Sequence, residues 1–60
     1  MWIKVANRLP LEDVVVDTKI DDDKGCRNEQ PLTRSGRLWF TRDGSTYVYY
    51  EPTHWWDEDV

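Results

Sequence analysis

Nucleophilic chemistry in this chain would have to start from its one cysteine and its one histidine, Cys26 and His54. A thiol beside an imidazole is a workable nucleophile and base, and an imidazole titrates near neutral pH. Such a pair needs a third group to orient the base, and nothing in the spacing nominates one. Cys26 falls in a charged loop. His54 stands between Thr53 and Trp55 and reads as a ring that hydrogen-bonds and packs, holding the last segment to its neighbours. One Cys and one His cannot fill a tetrahedral zinc site without carboxylates. Asp21-Asp22-Asp23-Lys24-Gly25 lacks the alternating acidic spacing and the twelfth-position glutamate of a calcium loop, and reads as a solvated turn. Gly25, Gly36 and Gly44 are isolated, so no loop cradles a phosphate. A catalytic pocket of about 300 Å³ or more is hard to open in a chain with so little core. The reading is a protein that is not an enzyme, with no catalytic residues, no metal site and no cofactor.

What remains is binding chemistry. Four Trp, three Tyr and one Phe are more rings than one face of a tiny sheet hides. Neighbouring residues on a strand point to opposite faces, so Trp55 and Trp56, Tyr49 and Tyr50, and Trp39 and Phe40 cannot both be core within each pair. Exposed Trp, Tyr and Arg are the residue types that dominate protein interfaces. Arg37, Trp39, Arg42, Tyr50, Trp55 and Trp56 are therefore the candidate binding residues. The same surplus would suit a homodimer.

The elements that must position these side chains are strands. Val14, Val16, Thr18 and Ile20 alternate with Val15, Asp17 and Lys19, which predicts a half-buried strand over 14–20. Residues 29–34 form a weaker strand that Pro31 confines to an edge or a bulge. Residues 37–41 and 46–50 flank Asp43-Gly44, a strong hairpin signal. Two registers are open. One sets Phe40 opposite Tyr47 and Trp39 opposite Val48; the other, with a bulge at Gly44, sets Trp39 opposite Tyr47 and Arg37 opposite Tyr49. Trp2–Val5 and Thr53–Trp56 are short extended segments, Pro10 makes 8–10 a turn or linker, and 57–60 is expected to fray. The predicted architecture is mostly β: one domain over 1–60, a small antiparallel meander of four to five short strands, curled or partly closed, with no long helix.

Composition bounds the partners. Sixty residues make one domain of marginal stability, and a single cysteine rules out an internal disulfide and points to a reducing compartment. The net charge of −4 makes nucleic acid an unlikely partner, because such binding rests on an excess of Lys and Arg. Arg34, Arg37 and Arg42 interleaved with Trp39, Phe40 and Tyr47 keep that alternative in view. No apolar run is long enough to span a bilayer, so no membrane role is expected. Asp21–Asp23 and Asp57–Asp59 have the numbers for an acidic mimic of DNA, provided they share a face.

The two ends carry a resemblance. Trp2-Ile3-x-Val5-x-x-Arg8-Leu9-Pro10 and Thr53-His54-Trp55 resemble the termini of domain of unknown function 551, a family of very short phage and prophage proteins. Val14-Val15-Val16 and the Gly36–Tyr50 stretch resemble the family's middle. The resemblance implies a phage or prophage accessory protein in the host cytoplasm, and it implies no reaction, substrate or cofactor; with the surplus rings and the missing catalytic set it points to a module that docks on a host protein and modulates it, with a structural, self-associating phage protein as an alternative. Members often continue after Thr-His-Trp with an apolar tail, where this chain carries Trp56-Asp57-Glu58-Asp59-Val60.

Overall fold

The computed structural model describes residues 1–59. Five strands form one open antiparallel sheet: β1 (Trp2–Lys4), β2 (Val16–Asp22), β3 (Gly25–Ser35), β4 (Leu38–Thr41) and β5 (His54–Trp56). There is no helix among the described residues. The spatial order is β1-β5-β2-β3-β4. Strands β2, β3 and β4 are a meander of successive hairpins; the chain then crosses back to lay β5 on the free side of β2, and β1 closes the far edge.

The predicted strand over 14–20 starts later and runs further, at Val16–Asp22, but its faces are as the alternation requires. Thr18 is fully buried and Ile20 nearly so, while Asp17 is exposed and Lys19 half-buried. Val14 and Val15 stand outside the sheet because Asp13, in a left-handed conformation (φ 65°), turns the chain into β2 only after them. The weak strand at 29–34 is the middle of an eleven-residue one. Of the two devices expected of Pro31, the edge position is present; the bulge lies before it, and Pro31 itself pairs in register with Asp17. Asn28 and Glu29 together oppose Lys19 in a bulge with Asn28 at φ 56°. Leu32↔Thr41 is the last β3–β4 pair, so from Pro31 back to Gly25 the strand has no neighbour on that side.

The Asp43-Gly44 hairpin takes the register that pairs Phe40 with Tyr47. Thr41 N–H donates to Thr46 O and Val48 N–H to Trp39 O, at 2.8 Å each, and Gly44 (φ 77°) closes the loop through its N–H to Thr41 O. Residues 46–50 do not continue as a strand, however; they contribute a single bridge. The chain has to leave the β4 edge here to reach the far side of β2, so extended pairing stops.

That crossing and the segment after β1 cover one face of the sheet and leave the other open. Leu32 (0% exposed), Thr18 (0%), Trp39 (2%), Trp55 (6%) and Ile20 (9%) share the inner face. Pro10 and Pro52, one from each covering segment, are buried with them. Thr18, the fully buried polar residue, donates its hydroxyl to Gln30 O at 2.8 Å. The molecule is only 16 Å in its thinnest direction, which accommodates one sheet and one covering layer at the usual ~10 Å spacing and no second layer.

The two end motifs meet. Trp2↔Trp56, Ile3↔Trp55 and Lys4↔His54 are the β1–β5 pairs. The Trp55 indole donates to Arg8 O at 2.8 Å while the Arg8 guanidinium lies 5.2 Å over its ring. Asp57 is half-buried: its carboxylate pairs with Arg8, and its backbone exchanges hydrogen bonds with Met1. Glu58 and Asp59 continue as an exposed turn; Val60 lies outside the described residues.

Candidate functional site

The open face of the sheet is where the surplus rings collect. Its side chains follow from register: residues of the same parity as Lys19 on β2 point outward, and His54, Trp56, Trp2 and Lys4 share that side through their pairings. So do Pro31, Thr33, Phe40 and Leu38, and Tyr47 opposite Phe40. Two aromatic clusters result. At the β1–β5 edge, Trp2 and Trp56 meet edge to face at 5.4 Å, and the Lys19 ammonium sits 4.2 Å over the Trp2 ring. At the β4 edge, Phe40, Tyr47 and Tyr49 form a chain of edge contacts, 6.4 and 5.1 Å between centroids. Tyr49 is 89% exposed, Leu38 51%, Tyr47 45% and Trp56 36%. With strands ~4.8 Å apart, the β5 and β4 clusters are three strand spacings, about 14 Å, apart across the sheet.

The structure divides the predicted binding residues. Trp56 is exposed on the open face. Trp39 and Trp55 are core: their neighbours Phe40 and Trp56 took the outward positions, and what remains accessible is too little to meet a partner. Tyr50 is half-buried on the covered side, where its hydroxyl bonds the Gln30 amide. Arg37 and Arg42 are exposed and carry no ion pair among the described residues, but they stand at opposite ends of β4 and form no common basic patch. Arg34 is consumed internally, donating twice to Pro10 O and once to Gly36 O, with Glu12 3.8 Å away. Arg27 is held by Asp22. The basic run legible in the sequence is thus dispersed in space. So are the acidic runs: Asp21–Asp23 close the β2–β3 turn, and Asp57–Asp59 lie beyond the other end of the antiparallel β5, so they do not make one mimic of a phosphate ladder.

Leu38, Tyr47 and Tyr49 share this candidate face with Trp56, and the sequence did not nominate them. The alternation of 38, 40, 47 and 49 would have grouped them once the hairpin register was fixed, and the sequence left that register open.

Among the described residues Cys26 and His54 are not brought together as a nucleophile and base. The His54 Nδ1 lies 2.7 Å from Thr53 Oγ1, which also accepts the Asp21 N–H at 2.8 Å. Thr53 N–H donates to Lys19 O at 3.0 Å, so this pair of residues pins β5 to β2, as the packing reading expects. Cys26 is exposed, opposite Asp21, and makes no hydrogen bond to His54. Among the described residues no three of His, Cys, Asp and Glu cluster as a metal would require. Open surface grooves of about 700 and 630 Å³ border the covering segments, the first reaching round the end of the sheet to Asp17, Pro31 and Trp56.

Asp43 shows what the loop carboxylates do. Its Oδ1 accepts the Ser45 N–H and the hydroxyls of Thr41 and Ser45, which together hold its pKa down to about 2. The Asp22 carboxyl is lowered first by the Arg27 side chain and then by the Lys24 N–H. The Asp57 carboxyl is lowered first by the Asp59 N–H and then by Arg8. These are structural acceptors with partners of their own. Comparison with protein-family models, with curated proteins and with solved structures yields no match for this chain.

Proposed function

We propose that this chain is a phage or prophage accessory protein, without enzymatic activity, that docks on a host protein in the host cytoplasm and modulates it, as a host-defence antagonist or a host-takeover effector. The observation that carries the docking reading is the open sheet face with Leu38, Tyr47, Tyr49 and Trp56 exposed on it. Rings with one wet side lose little conformational entropy on binding and supply large contact area. The phage origin rests on the resemblance of the two ends and of the middle to domain of unknown function 551. The pairing of those end motifs with each other gives them a structural role, closing the sheet at β1 and β5.

The test is affinity capture from infected or lysogenic host cells, comparing the wild-type chain with the Tyr47→Ser/Tyr49→Ser variant. The expected result is one host protein recovered in stoichiometric amount by the wild type and lost with the double variant. Recovery of no such protein, or recovery indifferent to the two tyrosines, would count against the reading. Capture of nucleic acid that fades steeply with added salt would replace it with a phosphate-binding role.

A further inference from the structure

A second surface, apart from the aromatic face cluster at β4, has its own chemistry. Leu9 (46% exposed), Leu11 (79%), Val14 (45%) and Val15 (45%) place four accessible aliphatic side chains within seven residues. They line one wall of a groove of about 700 Å³ that Trp56 and the acidic close of the chain also line. Its rim holds Asp17, Asp57, Glu58 and Asp59 against Arg8 and Arg42. Arg8 is already paired with Asp57 and the Met1 ammonium donates to Asp57 O, so among the lining residues the carboxylates of Asp17, Glu58 and Asp59 outnumber the remaining cation, Arg42.

The aliphatic wall is held in place. Asn7 and Arg8 N–H groups bond back to Lys4 O. Arg8 O takes the Trp55 indole, and Pro10 O takes the Arg34 guanidinium. Beyond Leu11, Glu12 accepts the Gly36 N–H and Asp13 N–H reaches Arg34 O at 3.0 Å. A wall pinned at both ends costs little to organise on binding.

We propose that this groove is a docking site for a basic amphipathic segment of a partner protein. Its apolar residues would lie on Leu9, Leu11, Val14 and Val15, and its Lys or Arg residues against Asp17, Glu58 and Asp59. Charge complementarity selects that occupant. An anionic vesicle or a nucleic acid meets the carboxylates with like charge. A second copy joined face to face about a two-fold axis sets two acidic rims against each other.

The probe is a fluorescein-labelled peptide of roughly 14 residues, about four helical turns, built of Leu and Lys in amphipathic order. Controls carry Glu in place of Lys, or the same residues shuffled to remove the apolar face. Binding is read by anisotropy, and its location by ¹⁵N chemical shifts. The Leu/Lys peptide is expected to bind, with shifts confined to residues 8–17, 42 and 55–59. Leu11→Ser/Val15→Ser should weaken it about tenfold, the loss of a modest interface anchor. Asp17→Asn/Glu58→Gln/Asp59→Asn should weaken it and flatten its salt dependence, and Tyr49→Ser should leave it unchanged. Thermal melts of the variants separate lost docking from lost fold. Equal binding of the Glu or shuffled peptide, shifts elsewhere, or indifference to the groove variants would overturn the proposal. So would sedimentation showing that the chain already covers this groove by self-association.

Discussion

Thr18 is buried completely and keeps its place by one hydrogen bond, from its hydroxyl to Gln30 O. Valine has nearly the same shape and no donor, so Thr18→Val should cost about 1 kcal/mol, read from urea denaturation. Leu32→Ala belongs to another scale. A fully buried leucine cut to alanine costs about 2–5 kcal/mol, and a chain of this size has roughly 3–9 kcal/mol in total. The variant should be substantially unfolded at 37 °C by near-UV circular dichroism. Asp43 yields a pH signature. Its pKa is lower in the folded chain than in the unfolded one, so its stabilisation is present above about pH 4 and is lost as pH falls toward about 2. The stability gap between wild type and Asp43→Asn should close over that window. A gap that persists at pH 2 would mean that the three hydrogen bonds to Asp43 do not depend on its charge.

The hairpin of β2 and β3 is the element on which the others are hung, since β5 and β4 pair with its two sides. Its bulge lets the eleven-residue β3 keep Leu32 inward while shifting the register by one beyond Thr18. Asn28 occupies the left-handed position there, which asparagine tolerates and β-branched residues do not. Asn28→Val should therefore destabilise the chain and Asn28→Gly should be close to neutral; urea midpoints of the two variants distinguish them. The alternation at Thr18 and Ile20 and the Pro31 constraint were legible because both act over a few residues. The length of β3 was not, because residues 25–30 are polar throughout and only their pairing with β2 makes them a strand. The hairpin at Asp43-Gly44 was legible as a turn. Its second arm was not, since nothing local says that the chain must depart after Tyr47 to reach the other edge of β2.

For the whole molecule, the governing fact is a sheet covered on one side. Antiparallel sheets can leave a face in water, but this one leaves tyrosines, a leucine and a tryptophan there. Because those side chains support no core, Tyr47→Ser/Tyr49→Ser should change the melting temperature little while abolishing capture of a partner. A large loss of stability would instead assign the rings to the fold.

The sequence by itself determined that the chain is mostly β and that its adjacent rings must part to opposite faces, because period two is a property of any extended backbone. Which ring of each pair went inward was decided only by tertiary structure. Trp39 and Trp55 became core and Phe40 and Trp56 did not, because two crossing segments lie over one face and not the other. The same crossings scattered the basic and acidic runs and opened the aliphatic groove. Charges and apolar groups adjacent in the chain were brought together or parted by strand order, which depends on contacts between residues far apart in sequence.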